Sequence, residues 1–189
     1  MKQAKTLRPD DLKIVMAHVT TRRHAIRDRA IVLTSFLSGM RAHEMASLRL
    51  SDVFGEGGRI CDEIVLDASQ TKGRHSRRVF INAKLKKELG SYIKSICADW
   101  QPHDPLFRSQ KRRGFNANTM CQLFLNIYAA CGIRGASSHS GRRTFITNLA
   151  SKSVSVRVLA VLAGHSSIST TQRYIDVNDA QLRNAVELA

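Results

Sequence analysis

The sequence predicts a mainly α-helical domain with a small inserted antiparallel β-sheet. Apolar residues recur at helical spacing along most of the chain. Two short β-rich runs, Ile64-Val65-Leu66 and Val79-Phe80-Ile81, flank the polar stretch Thr71-Lys72-Gly73-Arg74-His75-Ser76, the pattern of two strands joined by a basic turn. No internal repeat, low-complexity stretch or break in composition divides residues 1–189, so a single domain is expected.

The elements follow in order. Pro9, Asp10 and Asp11 form a helix start, with proline in the first turn and acids at the positive end of the dipole. Leu12, Val15, Met16 and Val19 continue it. A second helix is expected over 25–38, stopped by Gly39. A short third helix carries Glu44, Met45 and Leu48. Gly55, Gly57 and Gly58 mark a turn before the hairpin. Residues 83–97 read as a helix with Leu85, Leu89, Ile93 and Ile96 in one stripe. A loop with Pro102 and Pro105 leads to the basic cluster Lys111-Arg112-Arg113. Helices are then expected over 119–130, 140–150 and 154–163, the last ended by Gly164. One more turn or two fits 169–175, and a short helix 176–188.

Composition narrows the function. Lys and Arg number 30 against 15 Asp and Glu, a formal net charge of +15, while 43% of the chain is apolar. A basic globular chain of this kind points to a polyanion, nucleic acid before anionic membrane. An aromatic content of 6% argues against a surface that stacks many single-stranded bases, and the expected partner is nucleic acid. Cys61, Cys97, Cys121 and Cys131 make no C-x-x-C pair and read as buried free thiols of a reducing compartment. The seven histidines form no metal-binding pattern, so no metal is expected. No apolar run reaches the roughly 18 residues of a membrane span. No signal peptide is seen, and a cytoplasmic location follows.

Three sets of residues could carry chemistry. His24/Arg27, His75/Arg78 and His139/Arg142 each share a helical i, i+3 spacing, which a solvated basic face also produces. The third stands apart because it opens a helix, whose N–H groups favour an anion, and is followed by Gly164-His165 and then Tyr174. Tyr92 and Tyr128 lie among apolar residues and read as core. Tyr174 follows the polar run Ser169-Thr170-Thr171-Gln172-Arg173, which leaves its hydroxyl accessible. Arg41 follows Gly39-Met40, and Glu44 one turn later can brace it by an ion pair.

Gly39-Met40-Arg41-x-x-Glu44, Lys72 on the hairpin, His139-x-x-Arg142, Gly164-His165 and Tyr174 occur in the order and spacing of one family. The chain resembles the tyrosine recombinases, or phage integrase family, over about 7–175, most closely from Gly164 to Tyr174. The resemblance implies a metal- and ATP-independent DNA recombinase, with no other cofactor, that breaks and rejoins the strands of double-stranded DNA through a 3′-phosphotyrosyl bond. Tyr174 would be the nucleophile, Arg41 and Arg142 the phosphate clamp, and Lys72 the acid for the leaving 5′-oxygen. His139 would assist tyrosine deprotonation or hold the phosphate, and His165 would bond a non-bridging oxygen. His75 shares the turn with Lys72 and rivals it as proton donor, though a DNA-backbone contact is the plainer role. Arg74, Arg77, Arg78, Lys111, Arg112 and Arg113, with His75, are expected phosphate contacts.

The chain departs from the family pattern in two places. Gly141 stands where H-x-L-R has leucine, and Ala163 where many members have leucine. The family's usual N-terminal core-binding domain is not expected, because few residues precede Pro9. A homodimer or tetramer on DNA is expected, with 175–189 docking on a neighbour through Leu182, Val186 and Leu188. A nucleoid-located enzyme encoded by a phage or mobile element is the setting implied. A type IB topoisomerase and a catalytically silent DNA-binding regulator remain the alternatives.

Overall fold

A computed structural model describes residues 3–55, 57–71, 75–96, 100–110, 113–175, 182–183 and 186–187. Helix α1 (Pro9–Thr20) starts at the expected proline with Asp10 and Asp11 in its first turn. Helix α2 (Ala25–Ser38) is the centre of the structure, stops at Gly39, and packs against α1 and three later helices. Ala30, Ile31, Val32, Ser35 and Phe36 are all buried, so α2 is covered on every side rather than along one stripe. Helix α3 (Ala42–Ser47) follows, then the single turn α4 (Leu50–Val53), which the sequence reading did not anticipate.

Strands β1 (Glu63–Leu66) and β2 (Arg77–Phe80) pair antiparallel, Ile64 opposite Val79 and Leu66 opposite Arg77. Strand β2 begins two residues earlier than the apolar run Val79-Phe80-Ile81 indicates, so Arg77 and Arg78 are strand residues and Ile81 is not. Ile64, Leu66 and Val79 face the core, while Val65 and Phe80 are exposed, the period-2 alternation of a sheet with one wet face. Lys72, Gly73 and Arg74 lie outside the described residues.

Helix α5 (Ala83–Ser95) is capped by the Asn82 side chain, which accepts from the Leu85 N–H at 2.9 Å. Its buried stripe is Leu85, Leu89 and Tyr92, and Ile96 has already turned extended, so the helix ends short of 97. The Tyr92 hydroxyl donates to the Leu106 carbonyl at 2.8 Å. Helix α6 (Ala117–Ala130) starts two residues before 119 because Asn116 caps it, accepting from the Thr119 N–H at 2.8 Å. Helices α7 (Ser140–Ala150), α8 (Val156–Ala163) and α9 (Ile168–Gln172) follow. Ser155 caps α8, which therefore starts at Val156 rather than at 154. One apolar cluster runs from Leu7 to Ile133. In the last segment Leu182 and Val186 are exposed, while Leu188 and most of 176–188 lie outside the described residues. Cys61, Cys121 and Cys131 are free thiols, and Cys97 lies outside the described residues. No described helix is long and apolar enough to cross a membrane.

The glycine at 141 has a packing reason. Helix α7 approaches α2 so closely there that a Cβ would lie 2.2 Å from the Ser35 Oγ and 2.9 Å from its Cβ. The Ser35 hydroxyl is itself buried without a hydrogen-bond partner among the described residues. Glycine weakens a helix interior by about 1 kcal/mol against alanine, and overpacking costs about 1–3 kcal/mol. Contact therefore outweighs propensity. Gly141→Ala should lower stability in urea denaturation despite the better helix former. Ser35→Ala in the same chain should recover part of the loss, since it removes the atom the new methyl meets and an unpaired buried hydroxyl. A Gly141→Ala protein more stable than its parent would refute this account.

Candidate active site

The C-terminal end of α8 is the anchor. Gly164 ends the helix at φ +61°, a left-handed turn that glycine adopts without strain. A helix end leaves carbonyls without intrahelical partners, and three arginines take them. Arg77 donates to the Leu162 and Ala163 carbonyls at 3.2 and 2.7 Å. Arg142 donates to the same Ala163 carbonyl at 2.5 Å and to the Gly39 carbonyl at 2.8 Å. Arg41 reaches the Gly164 carbonyl at 3.2 Å. These three side chains come from β2, α7 and the start of α3.

One carboxylate sits among them. Glu44 is fully buried and bonds Arg41 Nη1 at 2.7 Å and Arg77 Nη1 at 3.3 Å. It also accepts from the Arg41 backbone N–H at 2.8 Å, capping α3. The brace expected between Glu44 and Arg41 is thus present, and it serves Arg77 as well. Three guanidiniums against one carboxylate leave a local positive excess. Arg142 is 3% exposed. Burial, then Arg41 and Arg77, draw it down to about 9, so it remains a cation at neutral pH. Burial likewise pulls Arg77 below the usual arginine range, against the pull of Glu44.

His165 follows the turn. Burial and then Arg142, Arg41 and Arg77 hold its pKa down to about 4, so the imidazole is neutral at pH 7. Its Nδ1 lies 2.8 Å from the Thr171 Oγ1. Where that hydroxyl donates to Nδ1, Nε2 carries the ring proton and is a neutral donor. Tyr174 stacks on the His165 ring, with centroids 5.7 Å apart at 21°. The Arg143 guanidinium lies over the tyrosine ring at 5.2 Å.

Two adjacent clefts open on this arrangement. The first, about 520 Å³, is lined by Arg41, His75, Arg77 and His165 among others. The second, about 500 Å³, is lined by His139, Arg143, Arg173 and Tyr174, and Thr170 borders both. The structure therefore brings Arg41, Arg142 and His165 onto one turn, with Tyr174 against His165 and His139 across the second cleft. Lys72, Arg74, Lys111 and Arg112 lie outside the described residues. His75 is exposed beside the first cleft. Arg113 is exposed. Arg78 is exposed, paired with Glu63 and stacked over Phe80. Tyr92 and Tyr128 are buried, which pushes both phenols well above the usual tyrosine range. No group of three or more potential metal ligands occurs among the described residues.

Arg77, expected as a phosphate contact, borders the first cleft with a side chain only 10% exposed and with Nη atoms bonded to Glu44 and to α8 carbonyls. Residues i and i+2 of a strand share a face, and Val79 is buried. That spacing is the signal that could have turned Arg77 inward. Arg143 beside Tyr174 is a residue the sequence reading missed. It reads as one more basic residue until α7 is seen to pass the tyrosine.

The model of the phage integrase family matches residues 5–181. A tyrosine recombinase of Pseudothermotoga lettingae is 31% identical over 161 residues, covering 85% of this chain and 53% of its own length. The crystal structure of XerA recombinase superposes with a TM-score of 0.76 at 26% identity, over 100% of this chain and 64% of that one. The Tn1549 transposon integrase, solved in complex with circular intermediate DNA, shares the fold at a TM-score of 0.76 and 18% identity, over 100% of this chain and 68% of that one. The chain spans about half the length of the curated relatives it matches. With the family model matched over nearly all of its residues and its architecture shared with these structures, this chain belongs to the phage integrase family of tyrosine recombinases.

Proposed function

We propose that this domain catalyses site-specific DNA strand cleavage and rejoining through a 3′-phosphotyrosyl intermediate, acting on double-stranded DNA in the cytoplasm as a dimer or tetramer. The observation that carries the reading is the convergence of Arg41 and Arg142 with neutral His165 on one turn, beside Tyr174. Arginine forks match phosphate geometry and stay charged. Fixed in place beforehand, they meet charge that develops on phosphoryl oxygens at little reorganisation cost.

In this mechanism the Tyr174 oxygen attacks the scissile phosphorus, a phosphorus–oxygen bond to tyrosine forms, and the bond to the 5′-oxygen breaks. The tyrosine proton leaves toward His139 or solvent. The 5′-oxygen takes a proton from Lys72. His165 donates to a non-bridging oxygen. Attack by a second strand's 5′-hydroxyl reverses the sequence and releases the tyrosine. The covalent intermediate conserves the phosphodiester energy, so the chemistry requires no nucleotide hydrolysis.

Tyr174→Phe should bind DNA normally and form no covalent adduct on a nicked suicide substrate. An adduct in that variant would overturn the assignment of the nucleophile. Lys72→Ala should be rescued by a substrate with sulfur at the 5′-bridging position, because that leaving group needs no proton, whereas Arg142→Ala should not be. Equal rescue of both would refute the division of roles. If about six phosphates are neutralised, log K should fall against log salt with a slope near −5. A slope near zero in a filter-binding titration would show that the binding face is misplaced and that phosphate contacts do not carry the affinity.

A further inference from the structure

We infer that Arg77 is a positioning residue for the proposed phosphate clamp, holding Arg41 and the Gly164-His165 turn in register with Arg142 rather than contacting DNA. The inference rests on the proposed strand-cleavage reading.

Three of the five Arg77 N–H hydrogens are committed inside the protein. Nη1 bonds Glu44 and the Ala163 carbonyl, and Nη2 the Leu162 carbonyl. Nε is shielded from water and has no partner among the described residues. One Nη2 hydrogen is left over, on a side chain only 10% exposed at the edge of the first cleft. What Arg77 touches is the machinery itself. Glu44, its ionic partner, is also the partner of Arg41. Its carbonyl acceptor on Ala163 is also the acceptor of Arg142. Its stem lies against Gly164, where a Cβ would come within 2.8 Å of Arg77 Cδ and Nη1. One guanidinium on β2 thus links the two clamp arginines through one carboxylate and one carbonyl. It also fills the space that lets the turn deliver His165.

The groups that face His165 are Arg77 from β2, Arg41 from the start of α3, Arg142 from α7, Thr171 from α9 and the Tyr174 ring. Replacing Arg77 by a neutral side chain removes one of three cations and loosens the turn. Both changes make protonation of His165 easier.

The test uses single-turnover cleavage of a nicked suicide substrate, DNA binding, and NMR titration of His165 in histidine-labelled protein. Absence of any adduct with the parent chain would sink the strand-cleavage reading itself, which separates that failure from failure of this inference. Given an adduct, Arg77→Gln should bind DNA as the parent does and cleave about a hundredfold more slowly, the scale of a misplaced reacting geometry. Sulfur at the 5′-bridging position should not restore it. Its His165 should titrate at higher pH than in the parent. Arg77→Lys returns the charge without the fork, so it should recover part of the rate and leave His165 near its parent value. This variant carries the test should Arg77→Gln fail to fold. Parental cleavage rates in the variants, or weaker DNA binding with an unchanged cleavage rate, would overturn the proposal. The latter outcome would make Arg77 a phosphate contact.

Discussion

The end of helix α8 is where the structure's electrostatics are decided. Three consecutive carbonyls, from Leu162 to Gly164, accept hydrogen bonds from three arginines. A helix C-terminus carries roughly half a negative charge, and Glu44 supplies one full charge more. Neither is enough to neutralise three guanidiniums. Burial first, and then repulsion from Arg41 and Arg77, draws the Arg142 guanidinium below the usual arginine range. The cluster holds together because each cation has directed acceptors, not because its charge is balanced. Under the proposed function, an unbalanced, fixed cluster is what an entering phosphodiester would complete.

That cluster depends on distant packing. Arg142 reaches Gly39 only because α7 lies directly on α2, and α7 lies there only because position 141 has no side chain. The glycine that looks like a weak point in a helix is therefore the contact that sets the depth of Arg142. Helix α2 contributes in turn through its end, since the Gly39 carbonyl is the second acceptor of the same arginine.

Helix boundaries were legible where the chain carries its own punctuation. Pro9 starts α1, Gly39 stops α2 and Gly164 stops α8, each by local backbone chemistry that needs no tertiary partner. Arg41, Glu44, Arg142, His165 and Tyr174 were legible as a set because their spacing matches a known family. The side-chain destinations were not. Arg77 and Arg78 are adjacent and chemically identical, and only the pleat separates them, one turned to Glu44 and the other to Glu63 at the surface. The Gly141 contact was illegible for a different reason. Its partner, Ser35, lies 106 residues earlier, and nothing in either segment marks the pair.

The nucleophile candidate is held quite differently from the cations. Arg142 and Arg77 are largely buried and fixed by several strong bonds. Tyr174 is half-buried on a short segment after the five-residue helix α9, with ring contacts to His165 and Arg143. Its backbone carbonyl accepts from the Thr147 hydroxyl at 3.3 Å, a bond at the long end of the range. Stacking and cation–π contacts are worth about 1 kcal/mol each. Shifting the tyrosine is therefore cheap beside moving a buried arginine. The fold thus combines a rigid field with an adjustable attacking group. Under the proposed function, DNA would settle on the cations first and the tyrosine would adjust to the phosphate afterwards.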